Sequence, residues 1–180
     1  KAVVNHSGIL QANRVSQNAK GEIILLADMQ AGTTTVSGAL IAEGKNGQDG
    51  GFIETSAAHV QIKDTTKVST ISDTGKTGEW LIDPTDLNIN AGTAAQTASG
   101  IGASTLQNNL DSTNVTLQTV ATHTGSEKGD INVNAQVTWN SANSLTLNAH
   151  NDININANIT ATHNNGKLHL IYGQDPANST

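Results

Sequence analysis

Cysteine is absent from the 180 residues, which excludes a disulfide framework, a thiolate zinc centre and a thiol nucleophile. Aromatic rings are nearly as scarce. Two Trp, one Tyr and one Phe make up 2 % of the chain, so the core must be aliphatic rather than of the ring-rich kind. Lys and Arg number 9 against 15 Asp and Glu, giving a pI of about 5.3. Without a basic face there is no electrostatic footprint for nucleic acid or an anionic membrane surface. The longest apolar run, Ile23 to Ala27, is far short of the ~20 residues of a membrane-spanning helix, and no membrane insertion is expected. Disorder is excluded as well, because Val/Ile/Leu clusters recur along the chain and the net charge is only −6. The amino end, Lys1-Ala2-Val3-Val4-Asn5-His6, lacks the apolar stretch of a signal peptide. It reads as a mature chain or, preferably, an excised piece of a longer one.

What is present is alternation. Ile153 to Thr162 runs apolar-polar without a break, as do Ile131 to Trp139, Leu145 to Ala149, Val115 to Gln118 and Val60 to Lys63. That is the period of a strand with one buried face. The blocks also repeat: Ile23, Phe52 and Leu81 open similar triplets at a spacing of about 29, and Val115, Leu145 and Leu168 lead another series. Asp130-Ile131-Asn132-Val133-Asn134-Ala135 recurs nearly letter for letter as Asp152 to Ala157. Units of about 22 to 30 residues, each with two or three short strands and Gly/Asn/Asp/Thr corners, are the pattern of a solenoid. The expected fold is all-β, a right-handed parallel β-helix of about seven coils, with small aliphatic side chains filling an interior too narrow for rings. No Pro-rich or charged linker divides the chain, so residues 1–180 form one segment. One stretch breaks the pattern. Ala91 to Gly102 is small, polar and aperiodic, and Ala103 to Leu110 carries Leu106 and Leu110 at i, i+4 behind Ser104 as an N-cap. Residues 91–112 therefore read as an extra-helical loop with a short helix, projecting from the rod or plugging a corner.

Three blocks carry a resemblance. Gly50-Gly51-Phe52-Ile53-Glu54-Thr55-Ser56 is followed by His59-Val60-Gln61-Ile62, then by Gly78-Glu79-Trp80-Leu81-Ile82-Asp83-Pro84, and later by Ser104 to Thr119. In this order they resemble the filamentous-haemagglutinin-like exoproteins of bacterial two-partner secretion, over roughly Gly21 to Tyr172, in the segment just beyond the secretion domain. The asparagine-rich amino-terminal motifs of the secretion domain itself are missing. The resemblance implies a right-handed parallel β-helix, export through a dedicated outer-membrane transporter as partner, and a secreted, extracellular location at the bacterial cell surface. It further implies a role as an adhesin, with a host cell-surface protein or glycan as ligand. Relatives in that family differ in effector function, among them adhesion, haem acquisition, cytolysis and growth inhibition.

Each chemical constellation has a plainer alternative, and the plainer one is preferred. Glu54 with Asp83 or Asp86 could supply the acid and base of a glycosidic cleavage, but a sugar groove also needs basic and aromatic side chains. The preferred reading is a turn at Asp83-Pro84-Thr85-Asp86 and a solvated Glu54, with no catalytic residues. His6, His59, His123, His150, His163 and His169 follow no ligand spacing; they are expected to face solvent, with no metal or cofactor bound. Gly44 to Phe52 resembles one turn of a calcium-binding nonapeptide but occurs once, and is read as a glycine-rich corner. No Gly-x-Ser-x-Gly elbow marks a nucleophile. Sequons begin at Asn5, Asn114, Asn158 and Asn178, read as unmodified surface asparagines. Thr33-Thr34-Thr35 and Thr65-Thr66 do not recur at fixed coil positions, so a flat threonine array is rejected. Trp80 and Trp139 are expected to cap the interior or cover a corner. A host-protein contact through Ala91 to Ser112 is the further alternative.

Overall fold

The computed structural model describes residues 2–17, 21–92, 99–120 and 127–173. In chain order the elements are β1 (Val3–His6), β2 (Ile9–Gln11), β3 (Glu22–Leu26), β4 (Thr33–Val36), β5 (Ala39–Ile41), β6 (Phe52–Ser56), β7 (His59–Ile62), β8 (Lys67–Ser69), β9 (Glu79–Asp83), β10 (Leu87–Asn90) and β11 (Gly100–Gly102). Then follow α1 (Ala103–Leu110), β12 (Asn114–Gln118), β13 (Ile131–Val133), β14 (Val137–Trp139), β15 (Ser144–Asn148), β16 (Ile153–Ile155), β17 (Ile159–Ala161) and β18 (Lys167–Ile171). The chain is mostly β, and every strand pair among the described residues is parallel.

Apart from β10 and β11, strands neighbouring in sequence belong to different sheets. One sheet orders β1-β4-β7-β11-β10-β13-β16 and another β3-β6-β9-β12-β15-β18, while β2-β5-β8 and β14-β17 form two shorter stacks. The chain thus visits the sheets in rotation and returns to each one a rung further on. Parallel pairing forces such crossovers, since a hairpin cannot join parallel neighbours. Inward side chains line up across rungs, as in Ile23–Ile53–Trp80–Val115–Leu145, and they belong to one contiguous apolar cluster. Each fully buried Leu or Ile in it contributes about 2 kcal/mol.

The register corrects the 29-residue spacing. Ile23 pairs with Ile53 and Ile53 with Trp80, whereas Phe52 lies between Glu22 and Glu79 on the outer face. Aligning Ile23 with Phe52 is one residue out, and a one-residue slip would turn every buried side chain to solvent. The uninterrupted alternations at 131–139 and 153–162 are corrected as well: each is two three-residue strands separated by a corner. Alternation survives the corner, so periodicity alone does not reveal the bend.

Residues 99–112 do not project. Gly100–Gly102 pair with Gln61 on one side and with Asn88 to Asn90 on the other, so β11 turns back and fills the gap between β7 and β10. The helix then takes the place of a strand between β8 and β14, with Ala103, Thr105, Leu106, Asn109 and Leu110 buried. A helix is ~10 Å across, about two strand spacings of ~4.8 Å, which is the room left between two strands when one is missing. Its N-cap is Gly102 without a side-chain cap bond, and Ser104 already lies inside the first turn. The remainder of the expected loop, residues 93–98, lies outside the described residues. Among the described residues the longer uninterrupted stack holds six strands rather than about seven rungs, and the segment from Asn88 to Asn132 spans 44 residues while the next spans 22.

Helix α1 solves an edge problem. Replacing a strand by a helix would leave the backbone of β8 unpaired, at about 1 to 3 kcal/mol for each buried polar group. Asn109 supplies the missing peptide: its Oδ1 accepts the Val68 N–H at 2.6 Å and its Nδ2 donates to Thr66 O at 3.1 Å. On the other side Gln107 Oε1 accepts the Thr138 N–H of β14 at 2.8 Å. Two side-chain amides thus do what a strand backbone would have done.

Candidate functional site

The outer face of the six-strand sheet carries several ionisable groups, Glu22, Glu54, Glu79, Asp83, Lys167 and His169. Alternation points Glu22, Ile24 and Leu26 of β3 outward, and register continues them into three columns. The first runs Glu22–Phe52–Glu79–Asn114–Ser144–Lys167 and the second Ile24–Glu54–Leu81–Thr116–Thr146–His169. The third runs Leu26–Ser56–Asp83–Gln118–Asn148–Ile171. Glu54 and Asp83 are diagonal neighbours in adjacent columns. Ser56 Oγ donates to Glu54 Oε1 at 2.7 Å, and Gln118 Nε2 donates to Asp83 Oδ2 at 3.3 Å. Asp83 Oδ1 is buried without a hydrogen-bond partner. Burial pushes the Asp83 carboxyl up to about 6; the Gln118 bond opposes that rise and the Glu54 charge adds to it.

The third carboxylate of the sequence reading goes elsewhere. Asp86 Oδ1 accepts the backbone N–H groups of Gly129 and Asp130 at 2.8 and 2.9 Å, anchoring the corner that leads to β13. An open groove of about 900 Å³ runs beside the first column, lined among others by Arg14, Phe52, Lys76, Glu79 and Lys167. Neither Glu54 nor Asp83 lines it. Asp83 and the charged groove are therefore separate features. Chemically, Asp83 can hold a proton near pH 6, but it does not face the groove.

Histidines are placed individually. His6 is buried, with Nε2 3.2 Å from Ala39 O, which corrects the expectation that it faces solvent: it sits on the inward face of β1. His59 Nδ1 lies 3.8 Å from Glu127 Oε1, and the backbone N–H of His150 donates to Thr119 Oγ1 at 3.1 Å. His163 Nδ1 accepts the Asn165 N–H, His169 is exposed in the second column, and His123 lies outside the described residues. Among the described residues no three His, Asp or Glu converge in a metal-holding group. Gly44 to Phe52 is a corner: Asn46 and Gly47 adopt left-handed backbone, φ 55° and 76°, and donate their N–H groups to the Asp73 carboxylate. Those bonds hold Asp73 below the usual carboxylate range, chiefly through Gly47. Gly51 and Gly78 are close-approach positions; a Cβ on Gly51 would meet Gly21 O at 1.9 Å.

Trp80 neither caps the interior nor covers a corner, whereas Trp139 ends β14 with its indole bonded into the corner before β15. Trp80 is fully buried in the Ile53–Val115 column, with Nε1 donating to Thr55 Oγ1 at 3.2 Å, and Trp139 donates to Asn143 O at 3.0 Å. The interior thus admits a ring where a neighbour such as Thr55 is small and offers an acceptor. Thr34 points inward and is buried, while Thr33 and Thr35 share outer columns with Val3/His59 and Asn5/Gln61, so no threonine array forms there. Asn5 and Asn158 are exposed. Asn114 is committed: its Nδ2 donates to Thr77 O and Gly78 O, and its Oδ1 accepts from Ser144. Asn178 lies outside the described residues.

The Asp-apolar-Asn-apolar-Asn-Ala block occurs three times, the first copy being Asp86 to Ala91, which stacks with Asp130 to Ala135 and Asp152 to Ala157. Two amide ladders result. Asn154 donates to Asn132 and Asn132 to Asn88, at 2.9 and 3.2 Å; Asn156 donates to Asn134 and Asn134 to Asn90, both at 2.9 Å. Asp130 Oδ1 accepts the Asp152 N–H, repeating the role of Asp86. The D-x-N-x-N spelling was the available signal, hidden in the first copy by the 44-residue circuit.

A scan against protein-family models finds no match, and searches of the curated proteins and of the solved structures find none either.

Proposed function

We propose that the chain is a non-catalytic structural segment of the shaft of a large secreted bacterial exoprotein of the filamentous-haemagglutinin-like type, wound as a right-handed parallel β-helix. The carrying observation is the in-register parallel stacking of strands, from Glu22 to Lys167 on one sheet and from Asn5 to Asn154 on another. Stacked rungs of this kind make a stiff spacer whose stability is a sum of neighbour terms and requires neither disulfide nor cofactor. The crossover rule supports the right hand: parallel strands of one sheet joined by a crossover take that hand in about 98 % of cases.

Two of the resembling blocks support the family assignment, because the GGFIETS block supplies β6 and the GEWLIDP block supplies β9 stacked directly on it. In this reading an outer-membrane transporter exports the chain and the rungs assemble outside the cell at the bacterial surface. The shaft presents host-facing parts of the exoprotein to a cell-surface protein or glycan. Fusing the chain behind a two-partner secretion domain, in cells carrying the matching transporter, tests this: folded, protease-resistant chain outside the cell is expected, and degradation inside the envelope rejects it.

A carbohydrate-active reading has one observation in its favour, the adjacency of Glu54 to an Asp83 that holds its proton to about 6. Glycan cleavage that Glu54→Gln and Asp83→Asn both abolish would replace the shaft reading. Of the residues 91–112 that carry the host-protein or haem-carrier reading, β11 and the buried face of α1 are spent on packing.

A further inference from the structure

Both prolines of the sequence follow an aspartate, as Asp83-Pro84 and Asp175-Pro176. An aspartate carboxyl can close a five-membered ring on its own main-chain carbonyl carbon, and before proline the nitrogen expelled is a secondary amine. Asp83 ends β9, and Pro84 opens the turn that leads to β10. We propose that the folded chain cuts itself between Asp83 and Pro84 in mild acid, with the Asp83 carboxyl as nucleophile and proton donor.

Three features of the site carry the proposal. First, the carboxyl is half committed: Gln118 Nε2 holds Oδ2 at 3.3 Å, while Oδ1 is buried without a hydrogen-bond partner and is left to attack. Thr85 Oγ1 is a second buried atom without a partner, so unspent polar groups collect around one bond, where folded proteins leave few. Second, the carbonyl to be attacked is already polarised. Asp83 O accepts the Ala57 N–H at 3.2 Å, a donor fixed where negative charge develops as the carbon becomes tetrahedral. Beyond the bond, Pro84 O accepts the Val120 N–H at 3.2 Å and the Thr85 N–H donates to Ala58 O at 3.1 Å, which holds the leaving side in place. Third, the surroundings keep a proton on the carboxyl. Glu54 of β6 is its charged neighbour, Gln118 of β12 is neutral, and Asp86 in the turn is spent on Gly129 and Asp130. Among the described residues no cation comes within ion-pair distance of Asp83. Burial, joined by the Glu54 charge and opposed by the Gln118 bond, therefore lets the carboxyl stay neutral up to about pH 6.

In the reaction Oδ1 bonds to the Asp83 carbonyl carbon, the C–N bond to Pro84 breaks, and the electron pair left on nitrogen takes the carboxyl proton. Water opens the cyclic anhydride, leaving Asp83 with two carboxyl groups. Solvent protonates the freed amine at this pH, which prevents its return. The pieces stay joined through β9 with β12, β7 with β11 and β8 with α1, so the stack is nicked without being parted. The proposal rests on the surroundings of one bond and on nothing about export or adhesion, and either reading can fail alone.

Purified chain held at pH 6 should yield Lys1 to Asp83 and a fragment beginning at Pro84, separated only in denaturant and identified by mass spectrometry. Cutting should level off below pH 5 and fall about tenfold per pH unit above 7, following the neutral carboxyl. In urea at pH 6, where the carboxyl returns to its ordinary 3.8, cutting should slow on the order of fiftyfold, to the rate at Asp175-Pro176 in the same unfolded chain. Asp83→Asn should stay whole. Asp83→Glu keeps a carboxyl but needs a six-membered ring, and should be cut at least about tenfold more slowly. Three results would each overturn the proposal: folded wild type still whole at pH 6 after the time in which urea-unfolded chain is cut at pH 4, cutting no faster folded than in urea, or cutting that persists in Asp83→Asn.

Discussion

The interrupted circuit and the two regular ones after it use the same residue for opposite purposes. In the circuits through β13 and β16, Asn132, Asn134, Asn154 and Asn156 stand on the outer face and bond to one another across rungs, largely in contact with solvent. In the interrupted circuit Asn109 is buried at 3 % exposure and bonds to the backbone of a strand and of its own helix. A ladder amide exchanges water for a neighbour and gains little. A buried amide standing in for a peptide cannot be withdrawn without stranding its partners. Regularity is therefore inexpensive per residue, and the departure from regularity is where single side chains matter.

Asn109→Ala should give the largest effect. It removes the acceptor of the Val68 N–H and the donor to Thr66 O and Thr105 O, and is expected to cost about 3 kcal/mol in denaturant unfolding. A loss under about 1 kcal/mol would mean that α1 does not complete the edge of β8, and the contrast with the ladder would collapse.

Asp83→Asn comes next, with opposite sign. The folded-state carboxyl titrates at about 6, above its ordinary 3.8, so burial favours the protonated form. That contribution is complete below about pH 4 and is lost as pH rises through 6. The variant should therefore be more stable than wild type at pH 8, by about 1 to 2 kcal/mol after allowing for solvent screening, and indistinguishable from it at pH 4. Urea midpoints at the two pH values read the difference directly. A gain of equal size at both would assign the effect to packing rather than to charge.

The fold was legible wherever one rung repeated the chemistry of the last. Ile131 over Ile153 and Val115 under Leu145 are spelled in the sequence and found in the register. Ile23 against Ile53 was not, because Phe52 and Leu81 are as apolar as the residues that point inward, and only the outer face's tolerance of a half-exposed ring tells them apart. The interior position of Trp80 escaped for a related reason: a ring fits where the facing rung carries Thr55, and that partner is set by register rather than by neighbours in sequence. The helix was visible through Leu106 and Leu110, but its function as a replacement strand depends on Asn109 and Gln107 meeting strands about 30 to 40 residues distant. At the candidate site, the Glu54–Asp83 adjacency was legible and the separate destination of Asp86 was not, since Asp86 is fixed by the backbone of Gly129 and Asp130 across the long circuit.

Asn132→Ala should have the smallest effect and gives the cleanest comparison with Asn109. It deletes two ladder bonds, one to Asn88 and one from Asn154, yet water reaches the groups left behind, so a loss of about 0.5 to 1 kcal/mol is expected. The two ladders run in parallel, so Asn134→Ala should cost the same and the double variant the sum, because the columns share no bond. A double variant that loses much more than the sum would show the ladders acting as one cooperative network. In that case the outer face, and not only the apolar interior, would set the register of the rungs, and the division of labour between exposed and buried asparagine would have to be redrawn.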